Sequence, residues 1–328
     1  MIFKIEDEMI HPELRKSGKW IRHFLPYFRP STFRKGNRLL RLLKGKSGND
    51  IRYEQIWISR DGSQPVDSKL RLCVYRPPEP VVNAPGILWM HGGGYGLGIP
   101  EVDEGTFRDF IEQSGCVIVS PDYCLSVDNP YPAALEDCYA ALLWLRDHAS
   151  SLGVCKDQLM VGGNSAGGGL AAALTIYARD KGEVSIAFQM PIYPMLDDRM
   201  MTKSSRDNDA PVWNTRSNET GWKLYLGSLY GTEEVTAYAA PARLNDFRDL
   251  PPAFTFVGSI EPFCDETVDY MERLKAAGVP VTYKVFDGCY HAFDIISKQS
   301  SPAIEAKTWM MESFRYAVEN YFAEQPVD

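Results

Sequence analysis

Residues 158–182 read QLMVGGNSAGGGLAAALTIYARDKG, and the folding of this stretch decides the architecture. QLMVGG (158–163) is a short apolar run of strand length. SAGGGLAAALTIYARDKG (165–182) is rich in Ala and Leu and predicts a helix. Between them Gly163-Asn164-Ser165-Ala166-Gly167 matches G-x-S-x-G. The pentapeptide alone says little, because Gly and Ser are common. A strand running straight in and a helix straight out make it specific. Side chains at the flanking positions would clash in so sharp a corner, and the Ser165 hydroxyl would stand at the sheet edge over the positive end of a helix. A plain strand-to-helix turn or a phosphate-binding loop is the alternative. A loop of the latter kind would close on Gly-Lys-Ser/Thr, which is absent here.

Working outward, apolar runs alternate with helical patterns. RYEQIWIS (52–59) and LRLCVYR (70–76) read as strands joined by a hairpin-like loop, RDGSQPVDS (60–68). GILWM (86–90), CVIVS (116–120), IAFQMPIY (186–193), AFTFVG (253–258) and VTYKVF (281–286) follow as strands. The intervening helices are expected at 105–115, 133–149, near 265–277 and near 302–321. This order predicts right-handed βαβ units, hence an α/β fold with a mostly parallel sheet and helices on both faces. The polar, then aromatic stretch between Pro194 and Pro252 fits no crossover and reads as an insertion at the carboxyl edge of the sheet. The expected organisation is N-terminal helices over 1–50, the first part of the core over 51–194, the insertion over 195–250 and the second part of the core over 251–328.

Composition narrows the function. A formal net charge of -8 argues against nucleic acid as a partner. No apolar run has membrane-spanning length, and the early acids of MIFKIEDEMI do not fit a secretory signal. The seven cysteines are scattered without a C-x-x-C pair, which suits free thiols in a cytoplasmic protein. H-E-x-x-H is absent, so no metal is expected, and no cofactor is called for. Residues 15–46 contain no Asp or Glu but many Lys and Arg, with Trp20, Ile21, Phe24, Leu25 and Phe28 at roughly helical spacing. A membrane-surface helix is one reading. The favoured one is a helix packed on the rest of the protein with its charges in water.

A serine nucleophile needs a base. With the nucleophile on such an elbow, the chain order is serine, acid, histidine. Of five histidines only His291 follows Ser165, in DGCYHAFD just past a strand. The acid should lie in a loop after a strand, and VGSIEPFCDE fits. Glu261 is the expected partner. Asp265 is the rival, though it is better placed to cap the following helix. MHGGGYGLG (90–98) then finds its purpose. An oxyanion is stabilised by backbone N–H groups, and glycines let them approach without side chains in the way. Gly93 and Gly94 are the expected donors, with Ala166 after the nucleophile. His91 is expected to shape the loop by bonding to backbone.

Together HGGGYGLG, PDYCLSVDNPYPAALEDCYAALLWL, GGNSAGG, EPFCDE and GCYHAF resemble, in family order, the hormone-sensitive-lipase-like family of α/β-hydrolase esterases. The resemblance implies an eight-stranded α/β-hydrolase sheet under a helical cap made of N-terminal helices and the insertion. It gives Trp20, Phe24 and Phe28 a role in cap packing, and places Tyr95, Asn164, Trp213, Trp222 and Tyr225 near the substrate. It also implies a small-molecule ester as substrate, with short or medium acyl groups, and a homodimer paired through the sheet edge. Three departures stand out: Asn164 where Asp is common, Tyr123-Cys124-Leu125-Ser126-Val127-Asp128 in place of Y-R-L-A-P-E, and Glu261 where Asp is most frequent. An amidase or peptidase would use the same groups. Receptors that resemble this family have lost the histidine, and here His291 is present.

Overall fold

The computed structural model describes residues 4–48, 50–60 and 69–326. Within them the chain forms β1 (Arg52–Ser59), β2 (Lys69–Arg76), β3 (Ala84–Met90), β4 (Val117–Pro121), β5 (Val154–Asn164), β6 (Phe188–Ile192), β7 (Ala253–Gly258) and β8 (Val281–Phe286). These strands pair into one sheet in the order β1-β2-β4-β3-β5-β6-β7-β8. β2 runs antiparallel to both β1 and β4, and the remaining pairs are parallel. The hairpin-like loop expected at 60–68 lies, apart from Arg60, outside the described residues.

Every residue of β3 is buried, as a central strand covered on both faces requires. Its side chains alternate between two cores. Leu88 and Met90 join residues of α4 (Ala133–Leu152) and α5 (Ala166–Lys181). Ile87 and Trp89 join residues of α3 (Glu104–Ser114) and α9 (Ser301–Asn320). Burying one such large apolar side chain contributes about 1.5–3 kcal/mol, which is why a one-residue slip of β3 is not tolerated. α7 (Cys264–Ala276) packs its Tyr270, Met271 and Leu274 with Ala172 and Ile176 on the α5 side. α8 (Phe293–Ile296) is a single turn after the last strand.

Two segments lie over the carboxyl edge. One carries α1 (Arg15–Phe24) and α2 (Pro30–Leu40); the other runs between β6 and β7 and carries α6 (Thr215–Leu226). They are joined directly. Asn214 Nδ2 donates to the Pro26 carbonyl at 2.7 Å, the Phe28 N–H donates to Ser217 Oγ at 3.0 Å, and the rings of Phe28 and Trp213 lie 5.4 Å apart. The packing role expected of Trp20 and Phe24 is not observed: they are 62% and 66% exposed. α1 instead approaches through its small face. A Cβ on Gly18 would lie only 3.1 Å from Pro211 and 3.3 Å from Tyr290, so the aromatic residues at i and i+4 point outward.

The Tyr123–Asp128 stretch, which lacks an arginine of its own, has an ion pair beside it. Arg60 Nε and Nη2 donate to the two oxygens of Asp137 at 2.8 and 3.0 Å, and the Cys124 N–H donates to the same carboxylate. Nearby, the buried Arg71 meets Glu101 at 2.6 Å and Asp122 at 3.0 Å. Burial pushes the Glu101 carboxyl up, and the guanidinium outweighs it, holding the group below the usual carboxylate range. This cluster ties β2 to the turn just after the glycine loop.

Candidate active site

Ser165 takes φ 60° and ψ −118°, a sparsely populated backbone conformation for a residue with a side chain. The neighbours explain how it is held. Its N–H donates to the Ile192 carbonyl at 2.9 Å, and its carbonyl accepts from Gly169 and Met195. A Cβ on Gly163 would lie 2.4 Å from the Met90 carbonyl oxygen, and one on Gly167 would lie 2.1 Å from the same atom. Both glycines are therefore required by backbone crowding. α5 begins at Ala166, so the positive end of its dipole lies under the serine.

The loop after β8 brings His291 to the same edge. The Ser165 Oγ–H lies 2.8 Å from His291 Nε2, and Nδ1 donates to Glu261 Oε2. Because a carboxylate only accepts, that contact sets the tautomer and leaves Nε2 free to take a proton. Glu261 is fully buried, and its other oxygen accepts the Gly258 N–H at 2.8 Å. Asp265 does not reach the imidazole. It lies in the first turn of α7, where its Oδ2 accepts the Ser204 N–H at 2.8 Å, and its own N–H donates to Ser204 Oγ. The rival acid thus fastens the insertion to α7 rather than capping the helix.

The glycine loop lies against the elbow: a Cβ on Gly92 would stand 3.5 Å from Ser165 Cβ. Gly93 and Gly94 both have positive φ, 117° and 58°. A side chain on Gly93 would strike the Leu97 carbonyl oxygen at 1.9 Å, and one on Gly94 the Trp213 ring at 2.3 Å. Among the described residues the N–H groups of Gly93, Gly94 and Ala166 have no hydrogen-bond acceptor. His91 is buried and stacks on Tyr123 with ring centroids 4.2 Å apart. Its Nδ1 donates to the Gly92 carbonyl at 2.8 Å, and burial pushes its pKa down, keeping the ring neutral. The loop-shaping role expected of His91 is what the contacts show.

A cavity of about 220 Å³ opens at Ser165 and His291. Of the residues expected near the substrate, Asn164 and Trp213 line it, together with Gly93, Gly94, Phe28, Leu97, Asp103, Tyr193 and Ile295. Tyr95, Trp222 and Tyr225 do not. They are buried behind it, with Tyr95 stacked on Tyr225 at 3.8 Å and its hydroxyl donating to the Met195 carbonyl at 3.0 Å. Their aromatic character marked core, not pocket. Among the described residues no group of His, Cys, Asp and Glu is arranged to hold a metal ion, and no helix is long and apolar enough to cross a membrane.

Asp103 is the lining residue with no forewarning in the sequence, since nothing in IPEVDEGT marks one acid above the others. It is buried, accepts from Trp89 Nε1 at 3.1 Å and from Asn164 Nδ2 at 3.2 Å, and so braces the residue before Ser165. Burial pushes its carboxyl up to about 7, against those two hydrogen bonds. A raised carboxyl pKa means that folding favours the protonated form. The stability it contributes is present below the unfolded value and is lost as pH rises through about 7. Asp103→Asn removes this titration. Its melting temperature relative to the native chain is therefore expected to climb between acidic and mildly alkaline pH. A difference that is flat with pH would contradict the assignment.

Comparison with known proteins shows the family. The profile of a family described as alpha/beta hydrolase fold matches residues 87–295. The esterase LipI of Mycobacterium tuberculosis is 36% identical over 211 residues, which span 63% of this chain and 66% of that protein. The carboxylesterase NlhH of the same organism is 31% identical over 234 residues, 71% of this chain and 72% of its own. Among solved structures a bacterial heroin esterase superposes with a TM-score of 0.85 at 28% identity, covering 95% of this chain and 99% of that one. The chain thus belongs to the α/β-hydrolase-fold family and, within it, to the hormone-sensitive-lipase-like esterases whose motifs it carries.

Proposed function

We propose that this carboxylic ester hydrolase works through an acyl-enzyme on Ser165 and acts on short- to medium-chain acyl esters. The observation that carries the reading is the unbroken chain of hydrogen bonds from Ser165 Oγ through His291 to Glu261. Ser165 Oγ attacks the ester carbonyl as its proton passes to His291 Nε2. Glu261 holds the ring and stabilises the imidazolium that forms. The N–H groups of Gly93, Gly94 and Ala166 receive the oxyanion, each such donor being worth roughly 10²–10³ in rate. The alcohol leaves with the proton from Nε2. Water then repeats the cycle on the acyl-enzyme and restores the serine.

The N-terminal helices and the insertion form one cap over this chemistry in our reading. A cavity of about 220 Å³ supports small acyl groups. Ligand sites for drug-sized molecules run about 300–1,000 Å³. The free cysteines suit a reducing compartment, and we assign the protein to the cytoplasm. We place a homodimer contact on the open edge of the sheet at β8.

A p-nitrophenyl ester series tests the reading. kcat/KM is expected to peak at acetyl to hexanoyl and to fall for lauroyl and longer chains, with matched anilides turned over far more slowly. Faster anilide cleavage would make the protein an amidase. Absence of turnover with tight binding of a small ligand would make it a receptor.

A further inference from the structure

We infer that the outward faces of α1 and α2 form a docking surface for an anionic lipid bilayer, set around the mouth of the catalytic cavity. The two helices show their unusual sides to solvent. On α1 the exposed residues are Lys16, Lys19, Trp20, His23 and Phe24, which a 3.6-residue repeat places on one face. Trp20 and Phe24 stack on each other at 4.8 Å and not on the core. On α2 and the turn beyond it, Arg34, Lys35, Arg38, Leu39, Arg41 and Leu42 share the exposed face, with Leu39 and Leu42 67% and 66% exposed. Solvated charge alone does not account for four large apolar side chains turned outward within one short segment.

The two faces belong to one side of the molecule. The inner side of α1 lies on Pro211 and Tyr290, and that of α2 lies on Leu97 at Gly36. Tyr290 adjoins His291, Leu97 lines the cavity, and Phe28, between the helices, lines it too. Both helices therefore flank the mouth and turn their outer faces away from the sheet.

Charge selects the occupant. Residues 15–46 hold eleven Lys and Arg and no acid, in a chain whose formal net charge is -8. Asp7, Asp209, Asp128 and Asp122 pair with Lys19, Arg22, Arg34 and Lys44. Among the described residues Lys16, Lys35, Arg38 and Arg41 have no ion-pair partner. A two-fold contact with a second copy would press this cationic face against itself. An anionic bilayer instead neutralises the cations while Trp20, Phe24, Leu39 and Leu42 enter the headgroup region. Membrane-dissolved esters would then meet the cavity directly, beyond what the esterase reading alone requires.

Sedimentation of the full chain with vesicles tests this independently of hydrolysis. Vesicles of equal parts phosphatidylcholine and phosphatidylglycerol are expected to carry the protein down, whereas phosphatidylcholine alone does not. Salt at about 0.5 M is expected to release it. The triple variant Lys35→Glu, Arg38→Glu, Arg41→Glu is expected to bind roughly a hundredfold more weakly. Trp20→Ser with Phe24→Ser should lose tight binding at low salt. Both variants keep native hydrolysis of dissolved p-nitrophenyl acetate, since none of these side chains lines the cavity. No association with anionic vesicles overturns the inference. So does native vesicle binding by either variant, or a solution dimer that the Trp20/Phe24 variant disperses.

Discussion

Ser165→Ala is expected to lower kcat on p-nitrophenyl butyrate by roughly 10⁶-fold, the loss seen when a catalytic triad acts as a unit. The expectation follows from position. Among the described residues Ser165 is the one hydroxyl bonded to His291 Nε2, at 2.8 Å. It also stands next to the N–H groups of Ala166 and the glycine loop. The substitution removes only Oγ. The elbow is held by backbone bonds from Ile192, Gly169 and Met195, all of which alanine keeps. Stability should therefore change little, and substrate should still bind. Mass spectrometry after an organophosphate provides a second readout: the native chain is expected to gain one adduct, on Ser165, and the variant none. Residual activity within about a hundredfold of native would show that another nucleophile carries the reaction.

Glu261→Gln should cost roughly 10⁴ in kcat, whereas Asp265→Asn should stay within a few-fold of native. The two acids are four residues apart, yet only Glu261 contacts the imidazole. Glutamine can present its amide N–H₂ toward Nδ1, which would favour the wrong tautomer and leave Nε2 protonated. No developing positive charge on the ring would then be stabilised. Asp265 acts on the fold instead. Asparagine keeps the backbone N–H bond to Ser204 Oγ and exchanges only a charged acceptor for a neutral one at the Ser204 N–H, so the insertion should loosen from α7 by no more than about 1 kcal/mol. Equal kinetic losses would mean that the loop rearranges and that both acids serve the histidine.

Much of this was legible in the sequence because it is local. β5, the elbow and α5 are contiguous, and the sharp corner at Ser165 demands Gly163 and Gly167 through nearby backbone. Strand and helix periodicity carried the succession of strands and helices along the chain for the same reason. The glycine loop announced itself because three consecutive glycines are costly unless backbone approach requires them. Glu261 could be preferred over Asp265 from its place after a strand. The positions of Tyr95, Trp222 and Tyr225 could not be read in the same way, since an aromatic side chain suits a pocket wall and a core equally well.

By itself the sequence determined the strand–helix alternation, the sharp turn at Ser165 and the glycine loop, since each depends on backbone conformation over a few neighbouring residues. Only the tertiary structure decided that Asp103 braces Asn164, that Arg60 pairs with Asp137, and that Trp20 and Phe24 face outward. Those outcomes depend on contacts between residues tens to hundreds of positions apart. Whether a side chain is buried, and against what, is set by the packing of whole elements and not by the pattern within any one of them.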